Sequence, residues 1–244
     1  MKRLGLALLG LSFNAFAGQV VDYSADGMEL EGYYAKAQGT PKGSVILIHD
    51  WDGLTGYEQK RVSMLSEMGY NTFAVDLYGK GNRPTDTNAK KAEVGKLYKD
   101  REKMRSLILA GLDKAREMGM DDVVVAGYCF GGAATLELAR SGKGDGVLGY
   151  ATFHGGLKTP NAQSYPEDTA PIFIAHGGAD TSIPMGDVAM LSEQLEGSKV
   201  PYLIEVYSGA PHAFTVFESP RYREIADTRS WETFGTFLND NFSK

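Results

Sequence analysis

The sequence predicts an α/β protein in which a mostly parallel central sheet carries helices on both faces. Three observations lead there. Apolar runs of strand length alternate along the chain with amphipathic stretches of helix length. Most of these runs are apolar throughout, as expected of strands covered on both sides. One of them, in VVVAGYCFGGAATLELA at 123–139, passes through a glycine-flanked turn straight into an alanine-rich helical pattern. A chain of 244 residues is long enough for one substantial core, and one domain is expected over 18–244.

The opening, MKRLGLALLGLSFNAFA, pairs two basic residues with a short apolar run and small residues at Ala15 and Ala17. This is the form of a cleaved export signal, and the apolar run is too short for a membrane-spanning helix. Residues 1–17 are therefore expected to direct export to the periplasm or the medium. Mass spectrometry of the exported fraction should find a mature N-terminus at Gly18; an intact Met1 on soluble cytoplasmic protein would refute this. Cleavage removes Lys2 and Arg3 and no acid, leaving 23 basic against 31 acidic residues, a balance of −8. A chain this acidic, with no basic stripe, is expected to bind neither nucleic acid nor an anionic membrane.

EGYYAKA at 31–37 reads as an early edge strand. SVILIH (44–49), NTFAVDLY (71–78), DVVVAGY (122–128), GVLGYATF (146–153), APIFIAH (170–176) and PYLIEVY (201–207) read as buried strands. Between and after them, 57–68, 96–118, 132–140, 185–195 and 221–241 read as helices. Met104, Leu107, Ile108, Leu112, Ala115 and Met118 share one helical face with charges opposite. Trp231, Phe234, Leu238 and Phe242 make a similar stripe in the last helix. The polar stretch 78–94 is expected to be the one long irregular connection. Ligands of such sheets sit at the carboxyl ends of the strands, so functional residues are sought just after the apolar runs.

Cys129, the only cysteine, lies there. Gly127-Tyr128-Cys129-Phe130-Gly131 has the Gly-x-nucleophile-x-Gly form of a nucleophile elbow. The turn is so tight that positions two before and two after the nucleophile should approach each other, which requires glycine at both. The helix that follows carries a partial positive charge at its N-terminus, expected to favour thiolate over thiol. The Phe130 N–H is placed to donate to a developing oxyanion. No Gly-Lys-Ser/Thr ending and no Gly-x-Gly-x-x-Gly spacing is present, and no histidine spacing forms a metal-binding pair. No cofactor or metal is expected.

An elbow calls for an acid and then a histidine further along the chain. APIFIAHGGAD supplies Asp180, with Asp187 as the weaker candidate, and IEVYSGAPHAF supplies His212 after the final strand. His49, His154 and His176 come too early for the base and are candidates for supporting or oxyanion-loop positions.

HDWDGL (49–54), AVDLYGKG (74–81), GYCFGG (127–132), HGGAD (176–180) and PHAF (211–214) together resemble the dienelactone hydrolase family, cysteine hydrolases of the α/β-hydrolase fold. The resemblance implies a Cys129–His212–Asp180 triad that cleaves an ester or lactone through an acyl-cysteine, acting on a small molecule. It implies the Trp51 N–H as the second oxyanion donor. Asp50 stands where the family has a glutamate that modulates the nucleophile. The two arginines that grip a substrate carboxylate in the family correspond here to Lys80 and Val216, with Arg83 near enough to substitute. This implies a preference for neutral or singly anionic substrates over dicarboxylate-like lactones. Two other readings are a non-catalytic binding module on a hydrolase fold and a thiol redox protein using Cys129; the missing second cysteine counts against the latter.

Overall fold

The computed structural model describes residues 18–243, so the expected export segment at 1–17 lies outside the described residues. Eight strands form one sheet in the order β1-β2-β4-β3-β5-β6-β7-β8. They are β1 (Gln19–Ala25), β2 (Met28–Ala35), β3 (Gly43–Ile48), β4 (Tyr70–Val75), β5 (Val123–Tyr128), β6 (Val147–Phe153), β7 (Ile172–Gly177) and β8 (Tyr202–Tyr207). From β4 to β8 every pairing is parallel; β1 with β2 and β2 with β4 are antiparallel.

The helices are α1 (Gly56–Glu67), α2 (Thr87–Lys99), α3 (Arg101–Glu117), α4 (Phe130–Ser141), α5 (Met185–Gly197) and α6 (Glu224–Phe242). Alternate residues of the central strands feed two separate cores. Ile46, Ile48, Val123 and Val125 pack with residues of α3, α4 and α5 on one face. Val45, Leu47, Val124 and Ala126 pack with residues of α1 and α6 on the other. An unbroken apolar run is what this arrangement demands, because both sides of each strand are covered.

The structure departs from the sequence reading at four places. The strand expected at 31–37 is not the sheet edge. It begins at Met28 and is flanked by β1, a strand that the period did not single out. Asp26 and Gly27 join the pair with φ of 51° and 74°, the two left-handed residues of a type I′ hairpin turn. The expected helix at 96–118 is two helices, because the Asp100 side chain accepts the Lys103 N–H and caps a new start. The preceding helix starts at Thr87, capped by Asp86, so much of the expected irregular stretch 78–94 is helical. The last helix begins at Glu224 rather than 221.

Candidate active site

The residues that follow β3, β5, β6, β7 and β8 converge at the carboxyl end of the sheet. Between β5 and α4 stands one residue, Cys129, with φ 52° and ψ −112°. A side chain rarely occupies that region, and the strain is held by what surrounds it. A Cβ added at Gly127 would lie 2.2 Å from the Gly131 carbonyl oxygen, the close approach the elbow pattern predicts. One added at Gly131 meets a different obstacle, the Ile48 carbonyl oxygen of β3 at 2.2 Å. The second glycine thus lets the helix start pass under β3.

His212 Nε2 lies 3.1 Å from Cys129 Sγ, and its Nδ1 lies 2.8 Å from Asp180 Oδ2. A carboxylate only accepts, so Nδ1 carries the proton and Nε2 is left to accept from the thiol. The other oxygen of Asp180 accepts the Ser182 and Ile183 N–H groups at 2.8 and 2.9 Å. Burial raises the pKa of Asp180, but the hydrogen bonds from His212, Ile183 and Ser182 outweigh it and bring the carboxyl below its usual range. Asp187 takes no part; its carboxylate lies 3.9 Å from Lys158.

The loop bearing His212 is fixed from below. Thr215 Oγ1 is 2.8 Å from His154 Nε2 and 2.6 Å from the Tyr57 hydroxyl, and the Thr215 carbonyl accepts from Arg61 at 2.8 Å. Arg61 is fully buried and paired with Asp227 of α6. The His154 ring also meets the His212 ring edge to face, 5.3 Å between centroids. His49 ties the loop after β3 in place: its Nδ1 donates to the Asp50 carbonyl at 2.6 Å, and its Nε2 accepts the Leu77 N–H at 3.1 Å.

The thiol itself departs from expectation. Cys129 is pushed up to about 12, first by burial and then by the Asp50 carboxylate, while the Phe130 N–H pulls the other way. Desolvation and a neighbouring acid therefore outweigh the Phe130 N–H, and the balance favours thiol over thiolate. Asp50 is raised well above its ordinary range by burial, Glu58 and Asp52. Glu58 was not singled out in the sequence; it is fully buried, accepts the Asp50 N–H and forms the capping box of α1 with Thr55. Removing the Asp50 charge should lower the thiol's pKa. Asp50→Asn is expected to shift the pH profile of Cys129 alkylation to lower pH; an unmoved profile would show that Asp50 does not act on the sulfur.

A cavity of about 410 Å3 opens over Cys129 and His212, with Asp50, Trp51 and Val216 in its wall. Phe130 N–H faces the sulfur. Trp51 offers its N–H without a hydrogen-bonded partner among the described residues. Lys80 and Arg83 are not brought here. Lys80 reaches out to Asp22 at the surface. Arg83 is spent on the carbonyls of Leu54, Gly79 and Asn82 and on Glu31 and Asp76, so a swing into the cavity would strand several buried acceptors. The cations that do line the cavity are Lys91 and Arg221, which no motif marks.

A family model described as the dienelactone hydrolase family matches residues 30–242. A protein of Salmonella typhimurium named "Putative carboxymethylenebutenolidase" is 26% identical over 89% of this chain and 85% of its own. One of Bradyrhizobium, named "Probable 2-oxo-3-(5-oxofuran-2-ylidene)propanoate lactonase", is 25% identical over 89% of this chain and 92% of its own. Among solved structures, a dienelactone hydrolase-like promiscuous phosphotriesterase from metagenomic libraries superposes with a TM-score of 0.81. It is 23% identical and covers 91% of this chain and 97% of its own, a likeness of fold.

Proposed function

The chain belongs to the dienelactone hydrolase family, and from that premise we propose that it hydrolyses a carboxylic ester or lactone through an acyl-cysteine on Cys129. One observation carries the proposal: His212 stands between Cys129 Sγ at 3.1 Å and Asp180 Oδ2 at 2.8 Å in the tautomer a general base needs. The relatives named as a butenolidase and a lactonase support an ester or lactone bond as the target.

His212 Nε2 takes the thiol proton as Sγ adds to the carbonyl carbon. The oxyanion is met by the N–H groups of Phe130 and Trp51. Collapse expels the alkoxide, which leaves with the proton from His212, and the acyl group stays on sulfur. Water then gives its proton to His212 and attacks the thioester; the sulfur departs and recovers a proton from the imidazolium. Burial and Asp50 raise the thiol's pKa, so the proton that His212 Nε2 accepts is one the sulfur does not shed by itself at neutral pH.

Val216 in the cavity wall, with Lys80 and Arg83 held elsewhere, supports a neutral or singly anionic substrate, although Lys91 and Arg221 in the same wall leave the cavity two cations of its own. Incubation with aryl esters of graded chain length, followed by acid quench and mass analysis of the protein, tests the mechanism. Turnover with an acyl adduct on Cys129 is expected. Neither a redox protein nor a binding module would give both; turnover without the adduct would exclude the acyl-cysteine.

A further inference from the structure

The two oxyanion donors come from different parts of the chain. The Phe130 N–H stands at the start of α4, where the elbow fixes it. The Trp51 N–H belongs to the loop after β3, and a loop needs something to aim it. That N–H and the Asp50 carbonyl share one trans peptide plane, in which the two groups point in opposite directions. Whatever holds the carbonyl therefore aims the N–H.

His49 holds it. Its Nδ1 lies 2.6 Å from the Asp50 carbonyl oxygen, closer than the Gly53 nitrogen that shares this acceptor at 3.4 Å. The tautomer is set from the other side of the ring. The Leu77 N–H, just after β4, donates to Nε2 at 3.1 Å, so the ring proton sits on Nδ1. Burial brings the pKa of His49 down to about 4, which keeps the ring neutral at neutral pH. Packing fixes its orientation: it is fully buried, edge to face with Tyr78 at 4.6 Å and against Phe130 at 6.1 Å. Tyr78 in turn donates its hydroxyl to the Trp51 carbonyl at 3.3 Å, which holds the next peptide.

The Asp50 carbonyl is thus bonded on the buried side, while Asp50 and Trp51 line the cavity over Cys129. The N–H on the opposite side of that peptide has no partner among the described residues.

We propose that His49 is the positioning residue of the oxyanion hole: by donating Nδ1–H to the Asp50 carbonyl, it turns the Trp51 N–H toward the acyl oxygen of a substrate on Cys129. The proposal rests on the acyl-cysteine reading and adds a residue that acts without touching substrate. It also couples the two ends of one peptide. As the oxyanion draws on the Trp51 N–H, the Asp50 carbonyl becomes the better acceptor and the His49 hydrogen bond strengthens.

Two substitutions separate the aim from the packing. An asparagine amide nitrogen stands where the imidazole Nδ1 does, and a glutamine amide oxygen where Nε2 does. His49→Asn keeps a donor for the Asp50 carbonyl and gives up Leu77; His49→Gln keeps an acceptor for Leu77 and gives up the carbonyl. Each loses one buried hydrogen bond, so both should melt below the native protein. Only His49→Gln should lose catalysis, by about tenfold to a hundredfold in kcat on phenyl acetate with KM little changed, less than outright deletion of an oxyanion donor. His49→Asn should keep most of the native kcat. Alkylation of Cys129 by iodoacetamide forms no oxyanion and should run at the native rate in both. Equal losses of kcat, a greater loss in His49→Asn, or a matching loss in alkylation would overturn the assignment.

A measurement on the native protein stands even where a variant fails to fold. With trifluoromethyl hexyl ketone, Cys129 Sγ bonds to the carbonyl carbon, the thiol proton passes to His212, and the carbonyl oxygen becomes an oxyanion. Methyl hexyl ketone fills the same space without that addition. In proton NMR the His49 Nδ1–H resonance should move downfield with the first ketone and not with the second. An unmoved resonance in the adduct would overturn the proposal. Failure of the acyl-cysteine reading shows elsewhere, as a native protein that neither turns over phenyl acetate nor forms the ketone adduct.

Discussion

Cys129→Ala is expected to lower ester turnover by about 10³-fold or more, the scale on which removal of a nucleophile acts. The change deletes one atom, and that atom's recorded contact is the 3.1 Å approach to His212 Nε2. Alanine keeps the Cβ, so the strained φ of 52° is neither relieved nor worsened, and the packing around the elbow glycines is untouched. A stability loss is therefore a poor explanation for inactivity, and a thermal melt alongside the assay separates the two. What survives should be the contribution of the oxyanion donors and of binding, seen as slow turnover with no protein adduct. Activity of the alanine variant near that of the native protein would end the triad reading. Stoichiometric modification of the single thiol should abolish turnover in parallel.

How far the sequence disclosed this site depends on whether a feature is local. The elbow was legible because its geometry is made by five consecutive residues, and the φ of Cys129 and the crowding at Gly127 follow from them. Asp180 and His212 were legible through chain order, since each follows a strand that the apolar runs located. The central strands and the faces of α3 and α6 were legible through periodicity. Features that depend on distant segments were not. The expected bias toward thiolate is opposed by burial and by Asp50, which follows β3, and these outweigh the Phe130 N–H at the sulfur. Lys80 and Arg83 were placed by counting along a loop, yet their directions are set by Asp22, Glu31 and Asp76, which belong to other strands or to their ends. Lys91 and Arg221 reach the cavity only because 87–99 is helical and the chain turns back before Glu224. The break at Asp100 was hidden because Leu97 of α2 lies seven residues, two helical turns, before Met104 of α3, so the apolar spacing carries across it; the cap, not the period, marks it.

His212→Ala should be nearly as damaging as the cysteine change, by about 10³-fold, and the Cys129/His212 double variant little worse than either, because triad members act as a unit. Without the imidazole the thiol, held up to about 12, loses its hydrogen-bonded acceptor at 3.1 Å. Asp180→Asn discriminates more finely. The asparagine carbonyl can still accept the Ser182 and Ile183 N–H groups, so the turn keeps its shape. Its amide nitrogen then faces His212 Nδ1 as a donor and turns that nitrogen into the acceptor. The proton moves to Nε2, which can no longer accept from Sγ at 3.1 Å. The fold is preserved and the base is in the wrong tautomer, a loss that reaches about 10⁴-fold in the best-known triad. Asp187→Asn is the control, since Asp187 faces Lys158 and not the imidazole; on phenyl acetate it should stay within a few-fold of the native rate. If Asp187→Asn were the more damaging of the two, the acid would have been misassigned, and the hydrogen bond between Asp180 and His212 would hold the loop without serving the reaction.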